Sequence, residues 1–275
     1  MTSFTPAGLP WTRKEIISSL DEFMEIYKKR PIQDNNGGMK APHMFATWFI
    51  CRQLQPDIII ESGIWYGQST WLFEQACPEA ELFSIDINLA NRKYISKRST
   101  YLDTDFSCNN WNFITNHSLA FFDDHQNALN RLRQCEALGL KHIIFEDNYP
   151  HPKGDCYSLK KALGGFGHEH ELIKSLKAEL KKNSNNVQLQ SRLSALQQTT
   201  VEANSYDRDY INTQLDILDE FPPVVQTAMT RWGDRWDSSV YPTEEPLLVG
   251  KIPEKYQIFI EEANSYNWLC YARLR

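Results

Sequence analysis

Two short apolar runs in this sequence end in side chains that could hold a metal or move a proton. Leu119-Ala-Phe-Phe122 runs into Asp123-Asp124-His125, and His142-Ile-Ile-Phe145 runs into Glu146-Asp147-Asn148. Carboxylates and an amide oxygen arriving from adjacent strand ends make a hard oxygen site suited to Mg2+ or a similar cation. Asp123, Asp124, Asp147 and Asn148 are its candidate ligands. Such an ion lowers the pKa of a hydroxyl bound to it. His125 is the candidate base, because an imidazole with an unperturbed pKa near ~6.5 can take a proton near neutrality. Helix N-caps and solvated loop acids are the plainer readings of the carboxylates, and a structural histidine held by a neighbouring acid is the plainer reading of His125.

A third group lies upstream. Ile58 to Ile60 feed the turn Glu61-Ser-Gly63-Ile-Trp-Tyr-Gly67-Gln-Ser69, followed by a helix-like segment and then Leu82-Phe-Ser-Ile-Asp86. This reads as strand, glycine turn, helix, strand. Gly63 and Gly67 would let a ligand approach the backbone, and Ser69 stands where a helix N-terminus can meet a carboxylate. Glu61 can accept from an ammonium group, and Asp86, at the end of the next strand, suits ribose hydroxyls. The competing reading is a strand-to-helix turn whose glycines serve packing. Other features are weaker. His168-x-His170 has no cysteine or third histidine beside it for zinc. Trp65, Tyr66, Trp232 and Trp236 read first as packing residues.

The elements that must position these groups follow from periodicity. Ile16, Ile17, Leu20, Phe23, Met24 and Tyr27 predict an amphipathic helix over residues 12 to 29 with Thr12 as N-cap. Asp34-Asn-Asn-Gly-Gly predicts a turn, placed to cover a ligand, before a mostly apolar helix from Met44 to Leu54. Strands then alternate with helices, which argues for a parallel sheet whose ligands sit beyond the strands' carboxyl ends. Residues 168 to 221 break the pattern. They are charged and Gln/Asn-rich, with leucines at helical spacing, and predict a helical insertion whose sparse stripes suit a packed hairpin or a contact between copies better than a substrate lid. Tyr256 to Ile260 and Trp268 to Ala272 predict a closing antiparallel hairpin. One domain over 1–275 is expected, with 1–55 as N-terminal helices and covering loop.

Composition narrows the classes. The 41% hydrophobic and 23% charged fractions match a globular protein, and no apolar run approaches the roughly 20 residues of a membrane helix. Met-Thr-Ser-Phe-Thr-Pro lacks the basic-then-apolar pattern of a secretory signal, so a cytoplasmic location is expected. The six cysteines form no C-x-x-C pair, and a net charge of -6 argues against a broad nucleic-acid face.

The spacing E-x-G-x-x-x-G-x-S from Glu61 to Ser69 resembles the S-adenosylmethionine loop of class I methyltransferases more than the G-x-G-x-x-G nucleotide fingerprint, which is absent there. With Asp124-His125 and Asp147-Asn148 following in the same order, residues 40 to 150 resemble divalent-metal-dependent O-methyltransferases of the catechol O-methyltransferase type. His125 and Glu146-Asp147 are also similar to metal-dependent methyltransferases of macrolide and aminocoumarin sugars. The resemblance implies a Rossmann-like α/β fold with a mainly parallel sheet of about seven strands. It also implies an S-adenosylmethionine site of Glu61, Gly63, Gly67, Ser69, Asp86 and Asp105, the last near the adenine, a divalent cation, and a small hydroxylated acceptor. Counting from the strand matches Asp123 to the family's metal ligand, whereas the Asp-His pair matches Asp124. The family's catalytic lysine falls on Gln126 or Asn127, so that lysine is missing. A metal-dependent hydroxylase-like enzyme, a non-catalytic cofactor-binding protein and a dinucleotide enzyme are the alternatives.

Overall fold

Alternation along the strands decides the architecture. In β1 (Ile58–Ser62), Ile59 packs on one side of the sheet while Ile58 and Ile60 pack on the other. Leu119 and Phe121 of β4 (Leu119–Phe122) face the first side, and Ala120 and Phe122 the second. Strands buried on both faces need a layer of helices on each. The computed structural model supplies them over the described residues, 8 to 275 except 171 and 185; the Met1 to Pro6 stretch read above lies outside these.

One layer holds α2 (Leu20–Tyr27), α3 (Ala41–Leu54), α4 (Gln68–Ala76) and α10 (Gln257–Glu261), whose Phe23, Phe45, Trp48, Leu72 and Phe259 form a core with the first face. The other holds α5 (Ala128–Leu138), α6 (Leu159–Leu163) and α9 (Tyr206–Gln214), with Leu129, Leu132, Leu159 and Ile211 buried against the second. Together with β2 (Glu81–Ile85), β3 (Ser99–Leu102), β5 (His142–Phe145), β6 (Leu215–Glu220) and β7 (Cys270–Leu274), the sheet order is β3-β2-β1-β4-β5-β7-β6. Pairings from β3 through β5 are parallel, and β7 runs antiparallel to both β5 and β6. This is the Rossmann-like architecture, a mainly parallel sheet of seven strands, that the resemblance implied. Among the described residues, no helix is long and apolar enough to cross a membrane.

Three elements differ from expectation. The N-terminal helix is two: α1 (Arg13–Ser18) opens on a Thr12–Glu15 capping box and ends at Ser19, where α2 begins. The partner of the C-terminal strand is β6, not Tyr256 to Ile260, which forms a 3-10 turn and α10. In that segment Tyr256 and Phe259 are the buried side chains, three apart, which is a helical period. β6 itself lies inside the stretch read as purely helical. A register irregularity between Leu215 and Ile217 sends these two residues to opposite faces of the sheet, which removes the period-two signature of a strand. The helices expected in that stretch are α7 (Leu172–Lys182), with Ile173 and Leu176 buried, α8 (Val187–Gln197), whose Leu189, Leu193 and Leu196 are half-buried, and α9.

Candidate functional site

The carboxyl ends of β1, β2 and β4 open onto one cavity of about 220 Å³, lined by Ser62, Gly63, Asp86, Asp123, Asp124 and His125 among others. Gly37 of the turn before α3 and Trp65 of the glycine loop also line it, and the Trp65 indole N–H donates to Asn36 O at 2.8 Å. The turn expected to cover a ligand therefore borders the cavity.

The glycine loop is fixed from within. Gly63 has φ +96°, and a Cβ there would lie 2.2 Å from Asp123 O. Gly67 has φ +91°, and a Cβ there would lie 2.4 Å from Tyr94 O. Both glycines admit the chain's own backbone, and Gly63 thereby brings the β1 turn against the β4 end. Asp86 closes the same loop, its Oδ2 accepting from the Ile64 and Trp65 amides at 3.1 Å each. Glu61 and Ser69 lie beneath it rather than on the cavity wall. The buried Glu61 carboxylate accepts from the hydroxyls of Ser69, Thr70 (2.6 Å) and Ser84 (2.7 Å). Burial pushes Glu61 up to about 7 despite those donors.

The tandem acids separate. The Asp124 carboxylate accepts from Ser62 Oγ at 2.7 Å and from Arg131 Nε at 2.9 Å. Arg131, nearly fully buried, also grips both oxygens of Asp105, at 3.1 and 2.5 Å. This guanidinium holds Asp105 well below the usual carboxylate range. Asp105 lines the cavity with its charge matched by Arg131. Asp123, His125 and Asp147 instead converge, one donor atom from each within 4.8 Å of the others. Of the tandem acids, Asp123 is the one that joins His125 and Asp147. Asn148 is buried, and its Oδ1 accepts from the Lys160 amide at 2.8 Å, at the start of α6.

Charge crowding marks this group. Asp123 is raised well above the ordinary carboxyl value by burial and by Glu146 and Asp147, and Asp147 is raised by burial and Glu146. Asp147 Oδ2 is buried without an aligned hydrogen bond, although His125 Nδ1 lies 2.9 Å away. A second nearby carboxylate, Asp155 Oδ1, is 3.3 Å from the same nitrogen. These two acids push His125 up to about 12, so the ring holds its proton at neutral pH. The free imidazole expected of His125 is therefore corrected: its partners make it a cation here. His125 also adopts a left-handed backbone, φ +53°, a conformation uncommon outside glycine.

Behind the group lies a buried network that the sequence did not signal. His43 of α3 hydrogen-bonds Glu146, while the Asn267 amide donates to His43 Nε2 at 2.8 Å. Nε2 therefore accepts, and Nδ1 carries the proton shared with Glu146. Asn267 Nδ2 then reaches Asp147 Oδ1 at 3.1 Å, which fixes that carboxylate's other oxygen. His43 and Asn267 are far from the motifs in sequence, and although Arg131 and Asp155 follow them within eight residues, nothing in their local spacing marks any of the four.

No protein-family model matches the chain, and no curated protein does. Among solved structures, the chain is similar to CmcI with SAH, at 18% identity and TM-score 0.38 over 46% of this chain and 72% of that one. It is also similar to the SAH-bound methyltransferase PaMTH1 of Podospora anserina, at 15% identity and TM-score 0.35 over 52% and 64%. The plantazolicin methyltransferase BpumL, in complex with a pentazolic desmethylPZN analog and SAH, matches at 12% identity and TM-score 0.42 over 96% and 94%.

Proposed function

We propose that the chain is an S-adenosylmethionine-dependent O-methyltransferase of a small hydroxylated molecule, assisted by a divalent cation. The observation that supports this best is the single rim on which the cavity from Asp86 to Asp123 meets the Asp123–His125–Asp147 group. Four carboxylates line the cavity against two cations, His125 and the Arg131 guanidinium, the latter already matched to Asp105 and Asp124. That surplus of negative charge suits a ligand carrying a sulfonium and an ammonium. In this reading Asp86 receives the ribose hydroxyls and the Gly63 turn borders the ligand.

Methyl transfer breaks the S–CH3 bond, leaving S-adenosylhomocysteine, and forms an O–CH3 bond in line with it while the acceptor hydroxyl's proton passes to bulk solvent, so the protein must hold donor and acceptor in one geometry and keep water from the reacting carbon. The covering turn, tied to Trp65 through Asn36, serves the exclusion. Asp123, His125 and Asp147 would hold the cation, and the Asp147 oxygen, buried beside His125 without an aligned hydrogen bond, is the fit that supports it. When bound, the ion supplies Lewis acidity that makes an acceptor hydroxyl easier to ionise. Asn267 and the Glu146–His43 pair keep Asp147 in place for that role.

The test is transfer of a labelled methyl group from S-adenosylmethionine to a panel of sugars and phenols, with and without chelator. Product that falls at least tenfold on chelation and returns with added metal supports the proposal. Undiminished turnover after chelation, or in Asp147→Ala, removes the cation from it.

A further inference from the structure

The ion's identity can be argued from the donors around Asp147, given the reading of this group as a cation site. An all-oxygen site selects Mg2+, which takes carboxylates and waters in near-octahedral order. The group here is different. His125 turns its Nδ1 inward, 2.9 Å from the buried, unaligned Asp147 Oδ2, and one of its ring nitrogens belongs to the same 4.8 Å cluster as Asp123. Beside Asp147 also stand Asp155 and Cys156, whose carboxylate oxygen and Sγ lie within 4.8 Å of an Asp147 oxygen and of each other. Cys156 is buried and lines a small recess with His125 and Asp147. Imidazole and sulfur donors favour first-row transition ions over Mg2+.

We propose that the resident cation is a borderline divalent transition ion, of the Mn2+ to Zn2+ series, bound through a ring nitrogen of His125, whose proton it displaces to solvent, as well as through the carboxylates of Asp123 and Asp147. Selectivity then resides in His125. The carboxylates alone would take either class of ion, whereas the nitrogen adds affinity only for the transition ion.

The test uses the full chain, freed of metal, titrated with Co2+ and with Mg2+ by calorimetry, with the visible absorption of bound Co2+ as a second readout. Wild type is expected to bind Co2+ at least tenfold more tightly than Mg2+. In His125→Asn, chosen because asparagine tolerates the left-handed backbone, the Co2+ preference should fall to within about threefold. The Co2+ spectrum should change as the nitrogen ligand is lost, while thermal melting confirms folding. Equal affinity of the wild type for the two ions, or a Co2+ preference and spectrum unaltered in His125→Asn, overturns this assignment and leaves a Mg2+-type site standing. Binding of neither ion overturns the cation itself, which S-adenosylmethionine binding, measured separately, does not depend on.

Discussion

At the scale of single residues, Gly63 and Glu61 set the shape of the rim from below. Gly63→Ala must place a Cβ 2.2 Å from Asp123 O at a φ of +96°. The expected loss is about 3 kcal/mol in urea unfolding, the size of a clash added to an unfavourable backbone conformation. A change under about 0.5 kcal/mol would show that the turn can move aside. Glu61 predicts a pH dependence. Its folded value, about 7, is raised from 4.5, so its contribution is complete below 4.5 and is lost as pH rises towards 7, because the unfolded chain releases the proton first. The cost at neutral pH is roughly 3 kcal/mol for a shift of this size. Glu61→Gln should therefore lose less stability between pH 4.5 and 7 than wild type in paired thermal melts. Parallel pH profiles would contradict this.

At the scale of elements, Arg131 of α5 ties the loop after β3, through Asp105, to the end of β4, through Asp124. Removing a nearly buried guanidinium leaves two carboxylates facing each other, so Arg131→Met should destabilise the fold by about 3 kcal/mol at pH 7 in urea unfolding. The deficit should shrink as pH falls. Asp105 is depressed in the folded wild type, so its stabilisation is present above the usual carboxyl range and lost with acid. A deficit that stays constant well below the usual carboxyl value, down to about pH 2, would place the effect in packing rather than charge. Elements also show how far sequence reading reached. β1, β2, β4 and β5 were legible because each carries a mostly apolar run that leads into an acid. β6 was not, since its irregularity breaks the alternation, and α10 was mistaken for a strand because a five-residue apolar run fits either period. The candidate site divides similarly. Asp123, His125 and Asp147 stood out as strand-end acids and their neighbour, whereas the His43–Glu146–Asn267 network depends on contacts between distant segments, and the pairing of Asp124 with Arg131, seven residues on, depends on how the chain turns into α5.

At the scale of the whole molecule, two helical layers bury both faces of the seven-stranded sheet and leave the carboxyl edge of β1, β2 and β4 open to the cavity. The covering turn, the glycine loop and the convergent acids meet on that edge, so a ligand bound there should stabilise the whole chain. Saturating S-adenosylmethionine at 100 times its dissociation constant should add about 2.7 kcal/mol, seen as a raised melting temperature. The central claim is that the cavity is an S-adenosylmethionine site, and calorimetric titration of the full chain with S-adenosylmethionine, S-adenosylhomocysteine and NAD tests it most directly. Saturable binding of the first two and none of NAD is predicted, with Asp86→Ala weakening both by at least about tenfold, or 1.4 kcal/mol. Saturable binding of NAD with none of S-adenosylmethionine would contradict it.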